Sequence, residues 1–325
     1  MTRQRGAAVG DYRAPLFVAW QLTNRCRCRC LHCCEDSGPG RGTRIGGSWP
    51  EELSRKESLR IARDCVACGI AYVAFGGGEP MEVAHFWDLL EVLSKGGVSL
   101  KIETTGENIG RPAARRLALL GVSSIQVSLD GPTAAVHEAL RPGASFRRAL
   151  AAVRLLASHG VGPEVVFIPT RLNVRLAGKV YDIAAKAGAR VFATGPLMRL
   201  GRGARAWATL APSASQWARA VKALKARAAR PSGGPKLSVY PFGVQREIAA
   251  RLERPQAMVL IAPDGKVKLL NALPYAPADL RRHTTAEAWS RCLKAWRNPE
   301  VRGFCRRAVQ DPSLLAHANE CWGPC

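Results

Sequence analysis

The chain has 325 residues, 47% of them hydrophobic, with 11 cysteines and a formal net charge of +23. That length suits a barrel-sized core with an appendage, and no apolar run approaches the roughly 18–20 residues that span a bilayer, which excludes a transmembrane helix. Arginine outnumbers lysine and is spread along the whole chain without long basic runs, so the charge reads as a solvated surface and no nucleic-acid partner is expected.

In chain order, residues 1–15 are basic and polar with no apolar stretch, which predicts a flexible N-terminus that is neither signal nor anchor, on a cytoplasmic protein. A strand is expected over 16–22. Directly after it, Leu22 to Cys33 carries Cys26, Cys30 and Cys33 in a C-x3-C-x2-C spacing, with Cys28 and His32 between them and Cys34 next in the chain. Thiols this close cannot form an ordinary disulfide framework, and in an intracellular chain they point to metal ligation. On the cysteines alone two sites stay open. Three thiolates can hold three irons of a cubane cluster and leave the fourth iron open. Alternatively, Cys28, Cys34 or His32 could complete a zinc tetrahedron.

Ser54 and Glu57 form a capping box that opens the next helix, and Gly69 stops it. The strand over 70–76 runs into Gly76-Gly77-Gly78-Glu79-Pro80, where glycines permit close backbone approach to a ligand and Glu79 offers an acceptor. Further strands are expected over 98–104, 123–129, 163–169 and 190–195, with helices between them. On the helix ending at Gly160, Phe146, Leu150 and Val153 make an apolar stripe. Such βα units imply a parallel sheet with right-handed crossovers, either an open sheet or a partial barrel. Ile125, Val127 and Leu129 alternate with Gln126, Ser128 and Asp130. Lys101, Glu103 and Thr105 alternate with Leu100 and Ile102. An outer layer of helices takes the apolar faces, so the polar sets point into a barrel, where Lys101, Glu103, Thr105 and Gln126 are the candidate substrate wall.

The combination of Leu22–Cys33, Gly76–Pro80, Ser128–Gly131 and Asn173 resembles the radical S-adenosylmethionine (SAM) superfamily over about residues 16–205. The resemblance implies an α/β partial (β/α)6 TIM-like barrel over 16–230. It also implies a [4Fe–4S] cluster on Cys26, Cys30 and Cys33 whose open iron chelates SAM. By the same resemblance Gly77, Gly78, Glu79 and Pro80 hold the SAM amino group, Ser128 and Asp130 reach its ribose, and Asn173 is a further contact. His32 stands where an aromatic residue is often found, and Met198 in the 196–203 segment is a candidate adenine contact. The implied reaction is one-electron cleavage of SAM to methionine and a 5′-deoxyadenosyl radical, which abstracts hydrogen from a substrate. An external donor such as ferredoxin or flavodoxin would supply the electron.

Residues 231–235 read as a linker. Beyond them, 258–262 and 266–270 form a hairpin around Pro263-Asp264-Gly265, and Thr284 with Glu287 caps a helix reaching Trp296. This part resembles a SPASM or Twitch appendage, a small α+β auxiliary domain over 236–325. It departs from that pattern in lacking a cysteine around Lys268–Asn271, which implies loss of one auxiliary cluster. Cys305, Cys321 and Cys325 are candidate ligands of a second iron–sulfur cluster, with a zinc site or a metal-free tail as alternatives. The implied activity is modification of a peptide, protein or cofactor precursor. The alternatives are a small-molecule enzyme of haem- or molybdopterin-like cofactor synthesis, and a basic nucleic-acid-binding protein with structural clusters.

Overall fold

Local capping chemistry places the first helix. In the computed structural model, which describes residues 9–39, 51–231, 233–240 and 243–319, the Ser54 side chain accepts from the Glu57 N–H while Glu57 accepts from the Ser54 N–H at 2.8 Å. This reciprocal cap satisfies two donors that a helix start leaves unpaired. It opens α1 (Arg55–Ala67), which follows β1 (Phe17–Thr23). Gly69, at φ 69°, reverses the chain into β2 (Tyr72–Gly77).

The alternation continues through α2 (Phe86–Lys95), β3 (Ser99–Thr104), α3 (Arg111–Leu119) and β4 (Ser124–Ser128). Then come α4 (Ala134–Leu140), α5 (Phe146–Ser158), β5 (Glu164–Phe167), α6 (Ala177–Lys186) and β6 (Val191–Thr194). All six strands fall inside the ranges expected from the sequence, to within a residue at their ends. On α5 the apolar stripe is turned slightly from expectation. Val153 is fully buried with Ala149, Ala152 and Leu156, while Phe146 and Leu150 pack at its margin.

Beyond β6 lie α7 (Gly201–Arg205), α8 (Trp207–Leu210), α9 (Ala214–Ala228), β7 (Lys236–Val239) and α10 (Val244–Glu253). The hairpin is β8 (Met258–Ile261) and β9 (Lys266–Lys268), followed by β10 (Ala278–Asp279), α11 (Thr285–Arg297) and α12 (Pro299–Gln310). Every strand belongs to one sheet, in the order β10-β9-β8-β1-β2-β3-β4-β5-β6-β7. Pairing is parallel from β8 through β1 to β7 and antiparallel in β8–β9–β10. The sheet does not close, so the architecture is a partial barrel. Strands from beyond residue 236 therefore sit at both of its edges, with β8 paired directly to β1.

Ile125 and Val127 turn outward to the helices and are fully buried, as are Leu100 and Ile102. The alternate residues Gln126, Ser128 and Glu103 face a cavity at the C-terminal ends of the strands, where barrel folds place their sites. Lys101 is not among the cavity-lining residues; its Nζ lies 3.3 Å from Glu103 Oε1. No helix among the described residues is long and apolar enough to cross a membrane.

Candidate active site

The cysteine loop leaves β1 and is strapped down on several sides. The Cys26 N–H donates to the Gly38 carbonyl, the Arg29 N–H to Pro142 and the Leu31 N–H to Leu140. From α7, Arg202 donates Nε to the Cys30 carbonyl at 2.8 Å and Nη2 to the Ser37 carbonyl at 2.5 Å. Asp36, at φ 57°, pairs with Arg205, and Asn319 Nδ2 donates to the Cys34 carbonyl at 2.7 Å. A loop without regular structure is thus fixed by its backbone N–H and carbonyl groups, which leaves its thiols free for other partners.

Cys26, Cys28 and Cys30 are buried and packed together, with Cys33 against them. These four and Cys34 line a cavity of about 440 Å³, within the roughly 300–1,000 Å³ usual for small-molecule sites. Hydrogen bonding from Cys28, followed by the nearby Arg141 and His32, pulls the buried Cys30 thiol down to about 5, whereas burial pushes Cys33 up to about 12. A depressed thiol pKa favours the thiolate that binds metal. Among the described residues, no three His, Cys, Asp or Glu side chains converge on one metal-ion position. A cubane takes one thiolate at each of three separate irons, and a loop that gathers its thiols at one cavity is a donor set that suits a [4Fe–4S] cluster.

The glycine run presses against this loop. The Gly78 N–H donates to the Thr23 carbonyl at 2.6 Å and the Glu79 N–H to the Arg25 carbonyl at 2.9 Å. A Cβ on Gly78 would lie 2.0 Å from the Arg25 oxygen, and one on Gly77, at φ 102°, 2.8 Å from the Thr23 oxygen. Only glycine allows the β2 end and the cysteine loop to touch backbone to backbone.

Glu79 is fully buried, and its carboxylate sits behind Thr104 and Thr105, which line the cavity and bond to it. Its carboxylate accepts from Thr104 Oγ1 at 2.8 Å, the Thr105 N–H at 2.8 Å, Thr105 Oγ1 at 2.6 Å and the Met81 N–H at 3.3 Å. Burial raises its pKa and the Thr105, Thr104 and Met81 bonds oppose that rise. In this geometry Glu79 staples the β2 end to the β3 end. Glu79→Ala takes the acceptor from the buried Thr104 hydroxyl and from the Thr105 N–H and hydroxyl, at about 1–3 kcal/mol for each group left unmet. We expect a stability loss of ~3 kcal/mol in urea denaturation, from two or more such donors. A loss below about 1 kcal/mol would remove the staple role.

Of the other expected contacts, Gly77, Gly78, His32, Ser128 and Met198 line the cavity, while Pro80 is buried beside it. Asp130 and Asn173 are wholly buried and engaged within the protein. Asn173 Nδ2 donates to the Asp130 carbonyl at 2.9 Å and to the Ile168 carbonyl at 3.0 Å, and its Oδ1 accepts from the Thr170 N–H at 2.6 Å, locking the β4 and β5 ends together. Cys305 is buried on α12 between Val301 and Ala308, and Cys321 and Cys325 lie outside the described residues.

Sequence reasoning missed Arg141, Arg202, Glu35 and Tyr240, all of which line the cavity. Arginines scattered along the whole chain hide the two that matter. Glu35 follows the cysteine run, and Asn271 Nδ2, 2.8 Å away, and Gln21 donate to it. Burial, opposed by Lys268, pushes its pKa up to about 7. The Lys268–Asn271 stretch, expected to stand apart, thus reaches the cysteine loop.

Comparison with known proteins follows from this geometry. The family model described as the radical SAM superfamily matches residues 20–173. The mycofactocin maturase MftC of Mycobacterium tuberculosis is 30% identical over 325 residues, spanning 96% of this chain and 78% of the relative. The PqqA peptide cyclase of Streptomyces rochei is 28% identical over 237 residues, 71% of this chain and 60% of that protein. The fold is similar to Streptococcus suis SuiB bound to its precursor peptide SuiA, with a TM-score of 0.69 at 13% identity, covering 96% of this chain and 72% of that one.

Proposed function

The chain belongs to the radical SAM superfamily, and on that premise we propose that it modifies a peptide by hydrogen abstraction, with Cys26, Cys30 and Cys33 as the cluster ligands. The enzyme uses a [4Fe–4S] cluster and SAM, which when bound supply one-electron reductive cleavage and the abstracting species. The chain's own residues do the rest. Arg202 and the backbone straps hold the cysteine loop still. The glycine run sets the loop's distance from the β2 end, leaving bare backbone at the cavity wall. Glu103, Gln126 and Tyr240 give the cavity polar groups able to meet a peptide's amides.

The observation that carries this reading is the single cavity shared by the five thiols of the cysteine loop and Gly76–Gly78. The peptide substrate is supported by the matched maturase and peptide cyclase. A ferredoxin- or flavodoxin-type protein is the proposed electron donor. To test it, anaerobically reconstituted enzyme is given SAM, dithionite and the short peptides encoded beside its gene. We expect 5′-deoxyadenosine release and a mass change in one peptide. Release of 5′-deoxyadenosine with every peptide unchanged, alongside conversion of a tetrapyrrole or pterin precursor, would replace the peptide reading with the small-molecule one.

A further inference from the structure

We infer that Arg141, gripped by Asp130, is a tuning residue that raises the reduction potential of the cluster through Cys30. The inference rests on the proposed role of Cys30 as a cluster ligand.

Arg141 ends α4 and is 7% exposed, a cost that a guanidinium bears only with a partner. Its Nε meets Asp130 Oδ2 at 2.5 Å. Asp130 is 0% exposed and is itself pinned, with Oδ1 accepting from the Ile168 N–H at 2.8 Å and Oδ2 lying 3.1 Å from His32 Nε2. The Asp130 N–H donates to His137 Nδ1 at 3.1 Å, and the Arg141 N–H donates back to the His137 carbonyl. The guanidinium is therefore fixed from the β4 end and from α4 at once. Only one edge of its fork is needed for the carboxylate. The other edge is aimed at sulfur, with Nη1 donating to Cys30 Sγ at 3.5 Å.

Hydrogen bonds to ligand sulfur and net charge near the core are among the determinants of iron–sulfur potentials. Reduction of a [4Fe–4S]2+ core by dithionite adds one electron and one negative charge, spread onto the thiolates. A buried cation donating to one of those sulfurs stabilises the reduced state more than the oxidised state, because low dielectric leaves its field little screened. Asp130, in the same network, holds the cation in place and offsets part of its charge. The cluster is thus set by a buried pair and not by an isolated arginine.

The test is an EPR-monitored redox titration of the full-length reconstituted enzyme without SAM, with iron assayed in each sample. Arg141→Gln should keep about four irons per chain, as one cubane requires. Its reduced-to-oxidised ratio at the wild-type midpoint should fall about tenfold, a shift of ~59 mV to lower potential for one electron. Asp130→Asn keeps an amide oxygen that can accept from Arg141 Nε but removes the offsetting charge, so it should move the midpoint the other way. A merely structural role moves neither in opposite directions. An unchanged midpoint in fully loaded Arg141→Gln overturns the inference. If that variant does not take up iron, a midpoint in Asp130→Asn that fails to rise overturns it equally. Cys30→Ala with its cluster intact would instead show that the ligand assignment had failed.

Discussion

Cys26→Ala, Cys30→Ala and Cys33→Ala should each lose most of the cluster and bring 5′-deoxyadenosine release to background. Each proposed thiolate serves a different iron, so no remaining ligand can cover for the one removed. The wild type should hold about four irons per chain from this site, and the variants far fewer. Cys34→Ala and Cys28→Ala should stay loaded and active. Cys28 is the demanding control, because it is buried and packs directly with Cys26 and Cys30. Iron assay and product chromatography under anaerobic conditions decide the matter. Iron retained in Cys30→Ala and lost in Cys28→Ala would reassign the ligands.

Gly78→Ala should be nearly as damaging although it removes no functional group. The added Cβ would stand 2.0 Å from the Arg25 oxygen and 2.7 Å from the Arg25 carbonyl carbon, both backbone atoms that cannot rotate aside. Either β2 withdraws or the cysteine loop shifts, and the 2.6 Å bond from the Gly78 N–H to Thr23 breaks. A misplacement of about 1 Å can lower a rate on the order of 100-fold, which is the fall we expect in SAM cleavage. Gly110→Ala is the matched control, since its Cβ meets nothing closer than Pro112 Cδ at 3.8 Å. Equal activity of the two variants would dissociate the backbone contact from catalysis.

Much of the barrel is legible in the sequence because periodicity and caps are local properties. The Ser54–Glu57 and Thr284–Glu287 boxes, the glycine stops and the alternation in β3 and β4 each depend on residues a few positions apart. What is not legible depends on closure between distant segments. Glu79, Asp130 and Asn173 are marked by the motifs they belong to, yet the motif does not tell a ligand contact from an internal staple. Only the positions of Thr104, Thr105, Arg141 and Ile168 do that. β7, Lys236 to Val239, escapes notice because it is an edge strand with no fully buried residue, directly after the Pro- and Gly-rich 231–235 stretch that reads as a linker. The attachment of β8 to β1 is hidden for a different reason. A hairpin reveals its partner strand in sequence but not its second neighbour.

That pairing has a consequence for how the protein comes into being. β1 is the strand from which the cysteine loop emerges, and it lies between β2 and β8. On the ribosome β1 is made long before β8, so the strand that anchors the loop waits with one edge open until β8 has appeared. Contacts so far apart in sequence form late and slow the folding of sheet proteins. The loop therefore acquires its final shape only after β8 has been made and paired, and iron insertion into a finished site waits on that pairing.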